Sequence, residues 1–213
     1  MKHPWKQIEL EIYEQHMTLP EVQQLQTLSR ITREQLDDHD CTLLGICGAA
    51  GGNGLEHVDI HRTCRVYALD INAGYLSVCR ERYQNLAAVL ELVPCDLGEP
   101  GLRLPATTLL ICNLIVEYLG VDSFSRLIAA NHVNTHVISC VVQQNNRNDF
   151  VSASPLAKHF DPLAAVHHDV KRDELTGALL KKGLSRLREK EYELPNGKSF
   201  VRLDFVWESG GLG

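Results

Sequence analysis

A strand-like apolar run passing straight into a glycine-rich turn, Leu43-Leu44-Gly45-Ile46-Cys47-Gly48-Ala49-Ala50-Gly51-Gly52-Asn53-Gly54, constrains this chain more than any other feature. Small residues leave the main chain open to close approach, and glycine adopts positive φ without strain. A helix starting near Asn53 would add oriented N–H groups that favour a carboxylate or a phosphate. The turn therefore predicts a ligand held against backbone, the alternative being a tight connection that needs positive φ.

The next apolar run, RVYALD, ends in Asp70, about 20 residues beyond the turn, where a carboxylate can accept hydrogen bonds from both hydroxyls of a ribose. LELVPCD then ends in Asp96 and TTLLICN in Asn113. Polar residues at the carboxyl ends of neighbouring strands would line one crevice, the place where open α/β sheets bind ligands.

The runs TLLGIC, RVYALD, LELVPCD, TTLLICN and HVISCVV alternate with segments of helical character at 54–61, 73–85 and 121–131, which predicts a parallel sheet with crossover helices. A further helix is expected at 170–182. After it, SRLREKEYEL and KSFVRLDFVW flank Pro195-Asn196-Gly197, a hairpin signal. Ahead of the sheet, Trp5, Ile8, Ile12 and Tyr13, then Val22, Leu25, Leu28 and Ile31, recur at near-helical spacing. Thr18, three residues before Glu21, has capping-box spacing for the second helix, with Pro20 in its first turn. DDHD at 37–40 closes this leader. The expected fold class is α/β: a Rossmann-like, mostly parallel seven-stranded sheet with an antiparallel last strand, helices on both faces and an N-terminal helical leader. One domain over 1–213 is expected, with a leader or lid at 1–40 and the core at 41–207. The glycine-rich end at 210–213 is expected to fray.

Composition narrows the functions. A chain of 213 residues with 44% apolar and 23% charged residues has the balance of a globular protein. A net charge of −6 offers no general attraction to a phosphate backbone, so nucleic acid is not an expected partner. No apolar run approaches the roughly 20 residues of a membrane span. The start, MKHPWKQIELEIYEQHM, lacks a signal-peptide core, which predicts a cytoplasmic protein. The 7 cysteines (Cys41, Cys47, Cys64, Cys79, Cys95, Cys112 and Cys140) form no CxxC pair and are expected to be buried thiols. His57 with His61 and His132 with His136 have i, i+4 spacing, but there is no HExxH and no third ligand, so no metal is expected.

From about Cys41 to Trp207 the series of strand-end residues resembles the class I S-adenosylmethionine-dependent methyltransferases. The resemblance places Gly48, Ala50 and Gly52 at the three small positions of the loop that holds the methionine portion, with Ala49 between them. It implies Asp70 at the ribose, Ile71 and Asn72 beside the adenine, and Asp96 and Leu97 at the adenine edge. It also implies a last strand inserted antiparallel. Two departures stand out: Ile46 lies where the family usually has an acid, and Ala50 replaces the middle glycine. Enzymes of this kind that methylate amino groups of nucleic acid or protein carry Pro-Pro and an aromatic after the Asn or Asp. Here Asn113-Leu114-Ile115-Val116 lacks them, so the stacking face for a flipped base is not encoded. Asn113 is expected to touch the cofactor or cap the following helix.

Methyl transfer is a direct displacement, helped by alignment and desolvation. If the acceptor must lose a proton, the candidates are His16, Glu117, Tyr118, His167 and His168. Glu117, four residues after Asn113, shares its helix face, although a helix acid is more often solvated or capping. Leaders in related enzymes often fold over the cofactor, which makes Tyr13, His16 and Met17 acceptor-pocket candidates. The stretch 150–169, with Phe160, His167 and His168, is placed by the resemblance where insertions shape that pocket. The reading is a methyltransferase using S-adenosylmethionine on a small molecule. A nicotinamide-dependent oxidoreductase shares the acid after the turn, but GxGxxG does not occur in order here. A non-catalytic module that binds S-adenosylmethionine is the third reading, kept open by Ile46.

Overall fold

Alternate residues along each central strand point to opposite faces, and this sorts the apolar side chains into two cores. Leu44, Ile46, Val66 and Ala68 pack on one face against Leu36 and Leu76. Cys47, Leu110, Cys112 and Leu203 pack on the other against Phe124, Ile128, Leu175 and Leu179. Both faces of the sheet are therefore covered by helices, which is why the strands read as near-continuous apolar runs.

A computed structural model describes residues 3–146 and 149–208; the glycine-rich end at 210–213 lies outside the described residues. The leader holds α1 (Leu10–Thr18) and α2 (Gln24–Asp38). The sheet follows as β1 (Leu43–Cys47), β2 (Arg65–Asp70), α3 (Ala73–Arg82), β3 (Leu90–Pro94), β4 (Thr107–Asn113), α4 (Val116–Leu119), α5 (Val121–Ala130), β5 (Thr135–Gln144), α6 (Arg172–Leu180), β6 (Leu184–Glu193) and β7 (Ser199–Trp207). The seven strands lie in the order β3-β2-β1-β4-β5-β7-β6. β1 runs parallel to β2 and β4, with Leu44 opposite both Val66 and Leu109. β7 is antiparallel to β5 and to β6, as the hairpin signal predicted. The strand order changes direction at β1, so a crevice opens between the carboxyl ends of β1 and β4.

The hairpin closes differently from the tightest Asn-Gly turns. Leu194 N–H donates to the Lys198 carbonyl at 2.9 Å and Gly197 N–H to the Leu194 carbonyl at 3.1 Å. Gly197 has φ 76°, while Asn196 does not have positive φ. A three-residue loop with a left-handed glycine results, in place of a two-residue turn that needs positive φ twice.

Several sequence expectations are corrected. The first leader helix starts at Leu10, and Trp5 lies in a separate 3₁₀ turn, Pro4–Lys6. The second begins at Gln24, and Thr18 does not cap it. The Thr18 hydroxyl instead donates back to the Glu14 carbonyl at 2.8 Å, closing α1, a local bond open to any short hydroxyl side chain at a helix end. Residues 54–61 form one 3₁₀ turn, Leu55–His57, where a helix was expected. Gly52 and Gly54 hold φ of 90° and 95°, and Asp59 draws the His61 N–H to its own carboxylate at 2.8 Å, a local bond that competes with a helix. Neither histidine pair therefore lies on one helix face: His61 sits in a turn, and His136 is on β5 while His132 is not. Among the described residues no group of three His, Cys, Asp or Glu is arranged to hold a metal ion. Cys64 is exposed and Cys95 half-buried, whereas the other five thiols are buried. Among the described residues no helix is long and apolar enough to cross a membrane.

A polar chain unread in the sequence fastens α2 to the sheet. Gln35 exchanges side-chain amide hydrogen bonds with Asn113, at 2.9 and 3.1 Å, and donates to Ser139 Oγ at 2.7 Å. Ser139 donates to Asp204 Oδ1, which also receives Arg202 Nε at 2.9 Å. Arg202 and Asp204 have no exposed surface, and Arg202 reaches Asp38 at 2.8 Å. Buried charges of this kind persist only when paired and hydrogen-bonded.

Candidate functional site

The carboxyl ends of β1, β2 and β4 meet in a cleft bordered by Gly48 to Gly51, Asp70, Ile71, Asp96, Leu97 and Asn113. Gly48 and Ala49 both turn their N–H groups to the Leu69 carbonyl, so the loop leaves β1 folded across the end of β2. Ala50 then adopts φ 47°, a conformation a side chain resists. What holds it is Asp70: Oδ2 accepts the Ala50 N–H at 2.8 Å and Oδ1 the Asn72 N–H at 2.8 Å. Asp70 is buried, which pushes its carboxyl upward, and the N–H groups of Asn72, Ala50 and Ile71 pull it back.

Not every expected cofactor residue faces the cleft. The side chain of Asn72 caps α3 through the Gly74 and Tyr75 N–H groups and donates to the Trp5 carbonyl at 3.0 Å, so it serves the helix and the leader. Gly52 turns its open side to Tyr83 and Cys79, where a Cβ would come within 2.6 and 2.8 Å; its small size serves packing on α3. Asn113 borders the cleft, but both ends of its amide are already engaged by Gln35 and Thr32. Gly51, by contrast, lies directly beneath the leader, and a Cβ there would sit 2.5 Å from Glu14 Oε1.

The leader crosses the cleft. Glu14 pairs with both guanidinium nitrogens of Arg82, one at 2.7 Å. The Tyr75 hydroxyl donates to the Ile8 carbonyl at 2.7 Å. Tyr13, His16 and Met17 all border the cleft, and the His16 ring nitrogen Nδ1 lies 2.8 Å from Ser154 Oγ. Burial and the nearby Lys198 hold His16 below its usual range. Phe160 packs on His16 with ring centroids 4.7 Å apart. The insertion after β5 is fixed from behind by Lys198, whose ammonium donates to the Phe150 carbonyl at 2.9 Å and to Ser152 Oγ at 3.2 Å; burial lowers that ammonium to about 8.

Glu117 is 4% exposed on the first turn of α4, where burial lifts its carboxyl to about 7. Oε1 accepts the Gln143 N–H at 2.7 Å, whereas Oε2 is buried without a hydrogen-bond partner. Tyr118 and His167 border the same cleft with their rings 5.9 Å apart. His168 does not border it: its ring sits over Gly120, and its N–H donates to the Glu117 carbonyl at 2.7 Å. Sequence reasoning took Trp5 for helix packing, yet it borders the cleft edge-on to both Tyr13 and Tyr118, at 5.7 and 4.9 Å. Phe150, stacked at 4.0 Å on His167, was also not singled out. Trp5 stood in the leader's near-helical series and was read there as packing, whereas Phe150 lies in irregular chain with no periodic signal.

No family model and no curated protein matches the sequence. Solved structures do match in fold. A magnesium protoporphyrin IX methyltransferase from Synechocystis with bound S-adenosylmethionine is similar over 86% of this chain and 79% of its own, at 14% identity and TM-score 0.63. An S-adenosylmethionine-dependent methyltransferase from Clostridium acetobutylicum is similar over 86% and 92%, at 11% identity and TM-score 0.62. The [4+2]-cyclase SpnF is similar over 89% and 84%, at 10% identity and TM-score 0.65. The chain therefore has the fold that S-adenosylmethionine-dependent methyltransferases use, a fold that also occurs in a protein described as a cyclase.

Proposed function

We propose that this chain binds S-adenosylmethionine in the β1–β4 cleft and transfers its methyl group to a small molecule enclosed by the leader. The observation that carries the reading is Asp70, a buried carboxylate at the end of β2 that borders the cleft while two main-chain N–H groups fix its position. Such a carboxylate suits the paired hydroxyls of a ribose. Asp96 and Leu97 are the groups for the adenine edge, and Gly48 to Gly51 for the methionine portion. When bound, the cofactor supplies an electrophilic methyl on a sulfonium; the protein supplies alignment and exclusion of water. The leader, with Tyr13, His16 and Met17, acts as the lid.

The nicotinamide reading loses support at one place. A dinucleotide pyrophosphate is held at a helix N-terminus directly after the glycine-rich turn. Here a single 3₁₀ turn, Leu55–His57, follows the loop.

Because fold alone does not fix chemistry, the experiment must be a binding test followed by turnover. Calorimetry on the purified full chain is expected to give saturable binding of S-adenosylmethionine and S-adenosylhomocysteine, and none of NAD. Binding of NAD without either sulfur ligand overturns the proposal. Binding of both sulfur ligands with no methyl product across a broad acceptor screen favours the non-catalytic module.

A further inference from the structure

We infer that Glu117 takes the proton from the methyl acceptor, and that the acceptor is a neutral flat aromatic molecule whose hydroxyl or N–H is on the ring itself; this rests on the methyltransferase reading above. The first observation is the orphaned Oε2. A buried carboxylate oxygen without a donor is costly, and the carboxylate borders the cleft beside the leader. A substrate O–H or N–H is the donor it lacks.

The second observation is the wall around it. Trp5 meets Tyr118 edge-on at 4.9 Å, Tyr118 meets His167 at 5.9 Å, and His167 stacks on Phe150 at 4.0 Å. His16 and Phe160 extend the same lining at 4.7 Å. Rings set edge-to-face present both faces and edges, the arrangement that holds another flat ring. The positive charge of the cofactor favours a neutral guest. His16 and His167 are both held below their usual range, by burial first, and an ammonium would lie beside the cofactor's sulfonium.

In the transfer, the acceptor oxygen or nitrogen forms its bond to the methyl carbon as the carbon–sulfur bond breaks. The sulfur keeps that electron pair and becomes the neutral thioether of S-adenosylhomocysteine. The acceptor's proton passes to Glu117 Oε2. Burial lifts the Glu117 carboxyl to about 7, with Asp169 adding to the rise and the Gln143 and Glu117 N–H groups opposing it; the cleft is also bordered by Tyr118 on the same helix, by His167, by Tyr13, Glu14 and His16 of the leader, by Tyr75, and by Asp70, Cys95 and Asp96 at the strand ends. Turnover therefore rises with pH through about 7.

The test uses the full chain with 1-naphthol, 8-hydroxyquinoline, benzylamine and cyclohexanol as probes. Calorimetry on the S-adenosylhomocysteine complex is expected to detect binding of the two ring alcohols and of neither control, and mass spectrometry to find both ring alcohols methylated. Glu117→Gln is expected to lower kcat by about 100-fold or more and to abolish the pH inflection, leaving S-adenosylhomocysteine affinity unchanged. Glu117→Asp, which keeps a carboxylate, retains the inflection and serves if the Gln variant does not fold. The inference is overturned if Glu117→Gln keeps wild-type kcat and its inflection. It is equally overturned if benzylamine is the probe methylated, or if no probe turns over in protein that binds S-adenosylmethionine. Failure to bind S-adenosylmethionine at all sinks the methyltransferase reading itself, and is seen before any probe is added.

Discussion

Asp70 Oδ2 accepts the main-chain N–H of Ala50 at 2.8 Å, which makes the end of β2 and the left-handed step of the loop one mechanical unit. Asp70→Ala removes both the carboxylate offered to the ribose and the bond that holds Ala50 at positive φ. S-adenosylmethionine affinity is expected to fall by about 5-fold to 160-fold, the ~1–3 kcal/mol of an unpaired buried partner. Calorimetry on folded variant protein measures it, and an unchanged Kd removes Asp70 from the ribose site.

Hydrogen exchange addresses the leader. Saturating S-adenosylhomocysteine is expected to slow exchange of the Tyr13 to Met17 amides, far in sequence from the glycine-rich loop yet bordering the same cleft. Protection confined to the sheet loops would make α1 ordinary packing.

The Glu117 carboxyl, raised by burial to about 7, binds its proton more tightly folded than unfolded. Wild-type stability therefore falls as pH rises from the ordinary glutamate range near 4.3 to about 7, and Glu117→Gln lacks that fall. Urea midpoints are expected to show the variant gaining on wild type with rising pH, by at most about 4 kcal/mol. Parallel curves from pH 4 to 8 would show an unperturbed carboxyl.

Asp204 keeps Arg202 tolerable in an interior where neither has exposed surface. Asp204→Ala leaves the guanidinium short of its principal partner and is expected to cost ~3–5 kcal/mol in urea unfolding. Replacing the pair together, Arg202→Met with Asp204→Leu, should cost less than Asp204→Ala alone, because no buried charge is then stranded. The reverse order would make the ion pair itself the source of stability.

What the sequence displayed well were features carried by periodicity. β2 and β4 coincide with RVYALD and TTLLICN, because strands buried on both faces announce themselves as apolar runs. Local rules failed where longer-range contacts took over. Thr18 and Glu21 had the spacing of a cap, but the chain between α1 and α2 turns through Gln23 at φ 48°, so Thr18 ends a helix instead of starting one. Nothing periodic marked Gln35, Arg202 and Asp204 for burial: Gln35 reaches Ser139 across 104 residues of chain, and Ser139 reaches Asp204 across 65. In the cleft, Asp70 was legible because it ends a strand. Trp5 was not, since it falls in a 3₁₀ turn ahead of the helix its spacing suggested, and Phe150 was not, since a loop carries no period from which facing can be read.

The two leader helices are fastened by different kinds of bond. α2 is fixed through Gln35 to β4 and β5 and through Glu34 to Lys190 and Tyr192. The segment from Trp5 to Thr18 is held by separable contacts: Glu14 on Arg82, Ile8 under the Tyr75 hydroxyl, Trp5 on Asn72 and His16 beside Ser154. Breaking the first set strands the buried Gln35 amide; breaking the second frees one exposed ion pair, Glu14 on Arg82, and uncovers Ile8, His16 and Tyr75. On the lid reading proposed above, the door on this cleft has its jamb at α2 and its hinge pin at Gln23, the one left-handed residue between the two helices. On that reading ligand traffic moves the leaf, and the sheet need not loosen to admit a guest.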